Sequence, residues 1–215
     1  MLSLGKIRVT WFILKSSGTF LFTLGLALWF GSVVFFGLGV APVNFSIAES
    51  WELTGTNPEL IEQNITPQTI AGALTGASIQ RLEMLEFIAA ILMSFGIGLL
   101  WVPRSNQTKW LLAETFFLLI SILLLSYSAF MVSDRLFEIQ QTVPIDFSVA
   151  DSELRSTVHL EFDQLHNLYS TLTKVNLFFL FMQFVLLTLQ ISSNRIERLA
   201  FSGPPRVHYE IIEEH

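Results

Sequence analysis

The chain has 215 residues, 52% of them hydrophobic and 14% charged, a net charge of -6, no cysteine and a mean hydropathy of +0.56. That composition is too apolar for an ordinary soluble domain of this length. The acidic balance argues against a nucleic-acid partner, whose phosphates call for Lys and Arg, and the lack of cysteine removes disulfides, thiolate metal sites and thiol nucleophiles together.

In chain order, the first element is the charge-free run from Gly18 to Ala41. It exceeds the roughly 20 residues an α-helix needs to cross a hydrocarbon core. Lys6, Arg8 and Lys15 before it resemble a basic leader, but the apolar run is longer than the about 7 to 15 residues of a signal-peptide core and no A-x-A-like site follows. The segment therefore reads as a membrane anchor. Val43 to Ile65 lacks a clear period and reads as a loop. Thr66 as N-cap and Pro67 at the first helical position then open a helix to Val102, about 54 Å long at 1.5 Å per residue. Its apolar part, Phe87 to Val102, reaches spanning length when the interfacial residues before it are included. Gly72 with Gly76, Ala27 with Gly31 and Ser94 with Gly98 have the small-xxx-small spacing expected of closely packed helices.

The third span, Trp110 to Val132, contains one acid, Glu114, expected to reach the headgroups or to meet a helix N-terminus. Thr142 to Ala150 reads as a loop. From Asp151 or Ser152, either of which can cap, Leu154, Val158, Phe162, Leu165, Tyr169 and Leu172 recur at helical spacing. The fourth helix thus starts before its span, Val175 to Ile191, in which Asn176, Gln183 and Gln190 are the polar interruptions. The expected fold is all-α: a four-helix transmembrane bundle in one domain, residues 1–200, with spans at about 18–41, 83–102, 110–132 and 173–191. Helices 2 and 4 are expected to extend beyond the membrane on the non-cytoplasmic side, and 201–215 to form a mobile cytoplasmic tail.

Charge sets the expected sidedness. Lys6, Arg8, Lys15, Arg104, Lys109, Arg195, Arg198 and Arg206 share one side, out of 12 basic residues in all. The two long connecting segments carry most of the acids. The positive-inside rule puts both termini in the cytoplasm.

Chemistry-bearing residues gather where the long helices meet the bilayer. Arg81, Glu83 and Glu86 precede the second apolar run. His159, Asp163 and His166, at i, i+4 and i+7, share a face of the fourth helix. Together with a glutamate opposite, that face could offer imidazoles and carboxylates to zinc, manganese or iron. A solvated helix face with an Arg and Glu pair at the interface is the simpler reading. Haem is a further alternative, although His166 is the only histidine close to a span. Asn176, preceded by Ser170, Thr171 and Thr173, reads as a polar group that hydrogen-bonds a neighbouring helix.

Three stretches, WFGSVVFFGLGVAPVNF, TIAGALTGASIQR and FDQLHNLYSTLTKVNLF, resemble the transmembrane protein 205-like family, also described as a domain of unknown function. The similarity covers roughly Leu24 to Leu187, and the Phe-x-x-Leu-His motif ending at His166 is its most specific part. The resemblance implies a four-helix membrane domain and carries over Trp29, Gly31, Pro42, Gly72, His166, Ser170 and Asn176. Asn167 stands where the family has arginine, so an anion-binding His-Arg pair is not implied. A fold follows from the resemblance; a reaction does not.

The first functional reading is a non-enzymatic integral membrane protein. Its polar cluster of Arg81, Glu83, Glu86, His166, Ser170 and Asn176 braces helices or binds a small ligand, alone, as a homo-oligomer or as an accessory subunit of a membrane complex. The alternative is a metal- or haem-handling protein or small transporter using His166, Asp163 and His159. A membrane enzyme with Glu83, Glu86 and His166 as acid and base comes last, because no H-E-x-x-H, G-x-S-x-G or phosphate-cradling glycine loop occurs.

Overall fold

The computed structural model of the chain describes residues 4–54, 67–102, 108–142 and 152–201. Apart from a bend at Val102, these residues are all helical. They form α1 (Leu4–Phe35), a π-helical turn (Phe36–Val40), α2 (Ala41–Thr54), α3 (Pro67–Trp101), α4 (Thr108–Tyr127), a second π-helical turn (Ser128–Ser133), α5 (Asp134–Thr142) and α6 (Ser152–Phe201). Both π turns keep right-handed helical geometry at their ends, and the next backbone N–H bonds five residues back, Ala41 to Phe36 and Asp134 to Ala129. The helix therefore continues through each, and the eight elements make four rods.

Every rod contains a stretch long and apolar enough to cross a membrane: Thr10–Ile47, Leu74–Trp101, Lys109–Ile139 and Leu160–Ser192. Large apolar side chains such as Phe12, Phe35, Leu38, Phe95 and Leu123 stand 65% exposed or more, with Leu38 reaching 80%. A soluble monomer does not carry so much exposed apolar surface, whereas hydrocarbon solvates it. The chain is a four-helix transmembrane bundle and an integral membrane protein.

Val43 to Thr54, read as the start of a loop, is helix, and the first rod runs straight through Pro42. A proline ring clashes with the carbonyl four residues back and cannot donate its own hydrogen bond. Here that carbonyl belongs to Leu38, inside the wider π turn, which relieves the clash. Asn44 Nδ2 then donates to Thr75 Oγ1 at 3.3 Å, tying α2 to α3. Residues 55–65, 143–150 and the expected tail at 202–215 lie outside the described residues.

α1 and α3 form the most intimate pair. A Cβ built on Gly25 would lie 2.7 Å from the Ala89 carbonyl oxygen, and one on Gly96 would lie 2.6 Å from the Phe22 nitrogen. The small residues that bring the two backbones together are thus Gly18, Gly25, Ala89 and Gly96. Two of the predicted pairs, Ala27 with Gly31 and Ser94 with Gly98, lie elsewhere: Ala27 and Ser94 are exposed, and a Cβ on Gly31 or Gly98 would meet nothing within 4 Å. Phe22, Leu26, Trp29, Met93, Leu125 and Leu180 fill the core beside this crossing.

On the surface, Arg135 bridges Glu138 at 2.6 Å and Glu161 at 2.9 Å, joining α5 to α6. All three side chains are at least 40% exposed. Arg135→Ala is accordingly expected to cost less than about 1 kcal/mol, read as a near-unchanged unfolding midpoint in detergent.

Candidate functional site

The core-facing line of α3 runs Leu82, Glu83, Glu86, Ala89, Ala90, Met93, Gly96 and Ile97. These positions recur every three or four residues, the spacing of one helix face. Glu83 and Glu86 occupy two of them and are buried at 8% and 6% exposure. Arg81 falls on the opposite face and is exposed.

Three other rods supply the surroundings of the two acids. Ser133 Oγ, at the end of the second π turn, donates to Glu83 Oε2 at 3.2 Å. Val132 and Ser133, the last two residues of that turn, are both buried. From α6, the Tyr169 hydroxyl neighbours both Glu83 and Thr173. From α1, the indole N–H of Trp29 neighbours Glu86; Trp29 is fully buried, and this N–H has no formed hydrogen bond. Glu83 Oε1 is likewise buried without a partner. Asn176, seven residues after Tyr169 and so on the same face of α6, is 6% exposed with its Oδ1 unpartnered.

Of the sequence-predicted cluster, Glu83, Glu86 and Asn176 face the interior of the bundle. Arg81 and His166 do not join them, and Ser170 is half-buried. The His166 ring is exposed and stacks on Phe162, with centroids 6.1 Å apart and 14° between planes. Asp163 is exposed, and the side chain of His159 lies outside the described residues. Among the described residues no three His, Asp or Glu side chains come together as metal ligands.

Sequence reasoning did not single out Ser133 or Tyr169, and it misjudged Glu114. Glu114 does not reach the headgroups; it is 0% exposed, and both carboxyl oxygens lack a partner. The cause is its place on the inward line of α4, where Leu111, Leu118 and Leu125 flank it and Ser121 at three- and four-residue steps. Deeper in the bundle, Gln183 Nε2 donates to Ser121 Oγ at 3.3 Å, with both residues fully buried. The signal was present as a leucine and polar alternation, Leu111, Glu114, Leu118, Ser121, Leu125, Ser128, that hydropathy averaging hides.

No protein-family model, curated protein or solved structure matches the chain.

Proposed function

We propose that this integral membrane protein is non-enzymatic and takes up a small hard cation, the proton included, at the cluster formed by Glu83, Glu86, Ser133 and Tyr169. The observation that supports it is two adjacent carboxyl groups buried on one helix face with no basic side chain paired to either among the described residues. Isolated buried charge is expensive, and ionisable groups inside a membrane bundle face its interior where they serve ion pathways or binding. The donors are carboxylate and hydroxyl oxygens, a set that suits protons and hard cations rather than soft metals or haem. Membership of the transmembrane protein 205-like family is part of this proposal and rests on the three stretches quoted above.

The test is thermal unfolding of the full chain in mild detergent, with sodium, magnesium, calcium or manganese chloride or a change of pH as the variable. A ligand at 100 times its Kd stabilises by about 2.7 kcal/mol. At least one cation, or proton activity itself, is expected to move the wild-type midpoint, and Glu83→Gln with Glu86→Gln is expected to abolish that response. A midpoint indifferent to every cation and to pH would leave helix bracing as the role of the cluster.

A further inference from the structure

The polar groups of the interior do not stop at Glu83 and Glu86. Along α4 and the π turn that continues it, the buried line reads Leu111, Glu114, Leu118, Ser121, Leu125, Ser128, Val132. Along α6 it reads Asn176, Leu180, Gln183, Leu187. Steps of three and four residues on both rods make a heptad seam, in which facing layers repeat every seven residues. The Gln183–Ser121 hydrogen bond fixes the register of these two oppositely directed rods. Carried along the seam, that register sets Asn176 level with Ser128 and Gln190 level with Glu114. Leu125 and Leu180 share the layer on one side of the Gln183–Ser121 pair, and Leu118 and Leu187 the layer on the other. Polar layers therefore alternate with leucine layers, about 10.5 Å from one polar layer to the next.

Apart from the Trp29 indole N–H on α1, every buried polar side-chain atom left without a partner among the described residues is an oxygen: Glu83 Oε1 on α3 and, on the seam, Asn176 Oδ1, Gln183 Oε1 and both oxygens of Glu114. Acceptors without donors are costly in an apolar interior, and here they recur from one end of the span to the other. A hydrated proton brings its own donors to each of them. A metal ion needs about six oxygens at once, which no single layer supplies.

We propose that the α4–α6 seam is a proton pathway across the bilayer, with Glu83 and Glu86 at one end, Glu114 at the other, and Asn176 and Gln183 as stations between leucine gates. This rests on the reading of Glu83 and Glu86 as a cation site and names the proton as the cation and transfer as its purpose. At each end a hydronium gives one proton to a carboxylate oxygen and leaves as water; the reverse step releases the proton on the far side. The amide oxygens only accept hydrogen bonds from the passing hydronium. Leucine layers gate by excluding water until the seam is transiently wetted, as hydrophobic constrictions do. The charged and titratable neighbours at one end are Asp134 from α5 and Tyr169 from α6 with the two glutamates themselves. No charged side chain among the described residues acts on Glu114.

The experiment reconstitutes the full chain in phosphatidylcholine vesicles with a trapped pH-sensitive dye, and drives proton uptake by a potassium diffusion potential set with valinomycin. Wild-type vesicles are expected to acidify about tenfold faster than empty ones, and Glu114→Gln or Gln183→Leu to remove about a factor of ten, the rate equivalent of 1.36 kcal/mol. Leu125→Ser, which wets a gate, is expected to raise the rate, a change of sign that a misfolded chain does not produce without also leaking a trapped carboxylated dye. Acidification equal to that of empty vesicles, or equal rates for wild type, Glu114→Gln and Gln183→Leu, overturns the pathway. If the cation response of Glu83 and Glu86 survives that result, only the pathway is lost; if that response is absent as well, the binding reading falls with it.

Discussion

Gly96→Leu is expected to prevent recovery of a monodisperse bundle, and Gly96→Ala to lower its stability by about 1 to 3 kcal/mol, the usual cost of overpacking. The atoms a Cβ would meet there are the Phe22 nitrogen at 2.6 Å and the Gly18 carbonyl oxygen at 2.8 Å. Both belong to the backbone of α1, so no side-chain rotation makes room; the two helices must separate. Separation would also undo the matching contact of Gly25 with Ala89 and Met93 on the same pair, and packing, rather than hydrophobic burial, is what holds helices together in lipid. Gly98→Ala is the control. It lies two residues further along α3, where a Cβ meets nothing within 4 Å, and a midpoint within about 0.5 kcal/mol of wild type is expected. Equal effects at the two glycines would show that the α1–α3 crossing is not as close as described.

That contrast marks where sequence reading ends. Four apolar rods were legible because spanning length and absence of charge are local properties, and α3 begins at Pro67, where the proline signal put it. Which glycines touch was not legible, since Gly31 and Gly98 satisfy the four-residue spacing rule and stand apart, whereas Gly18 with Gly25 and Ala89 with Gly96 are seven residues apart and mark the contact. The choice between faces is made by the rotation of each helix against its neighbour, and no run of sequence encodes it alone. Continuity through Pro42 escaped for a related reason: the π turn before it is a backbone adjustment to the proline, without a residue signature of its own.

The candidate site divides the same way. Asn176 could be picked out as a polar group inside an apolar run and Glu83 and Glu86 as acids just before one, and all three are buried. His166 and Asp163 shared a helix face with His159 by spacing, yet spacing does not say whether that face turns inward; for His166 and Asp163 it turns outward. Ser133 continues the four-residue steps of Leu125 and Ala129, but it ends the apolar run beside Asp134, where a serine gives no sign of which way it turns. Seven-residue alternation on α4 was the readable clue to Glu114 and Ser121, and only knowledge that α4 and α6 face each other turns it into a seam.

Glu114→Leu is expected to make the bundle more stable, by about 1 to 4 kcal/mol, as replacement of buried charged groups by apolar ones of similar volume often does. Glu114 is fully enclosed, neither carboxyl oxygen has a partner, and its neighbours on the inward line, Leu111 and Leu118, are apolar. A leucine there would complete a leucine row and remove the cost of desolvating an acid. Glu83→Leu is expected to gain less, because it strips Ser133 of its buried acceptor and leaves a hydroxyl unsatisfied, at about 1 to 3 kcal/mol. The ordering of the two midpoints therefore checks the hydrogen-bond description as well as the burial. A sequence that retains an acid where leucine would be more stable is giving up stability for something else, and loss of activity is the recurrent cost of repairing such a position. Glu114→Leu should thus raise the unfolding midpoint and abolish proton uptake in the same preparation. A lowered midpoint would mean that the carboxyl group makes a stabilising bond, and the argument for it as a terminus of the seam would fail with that bond.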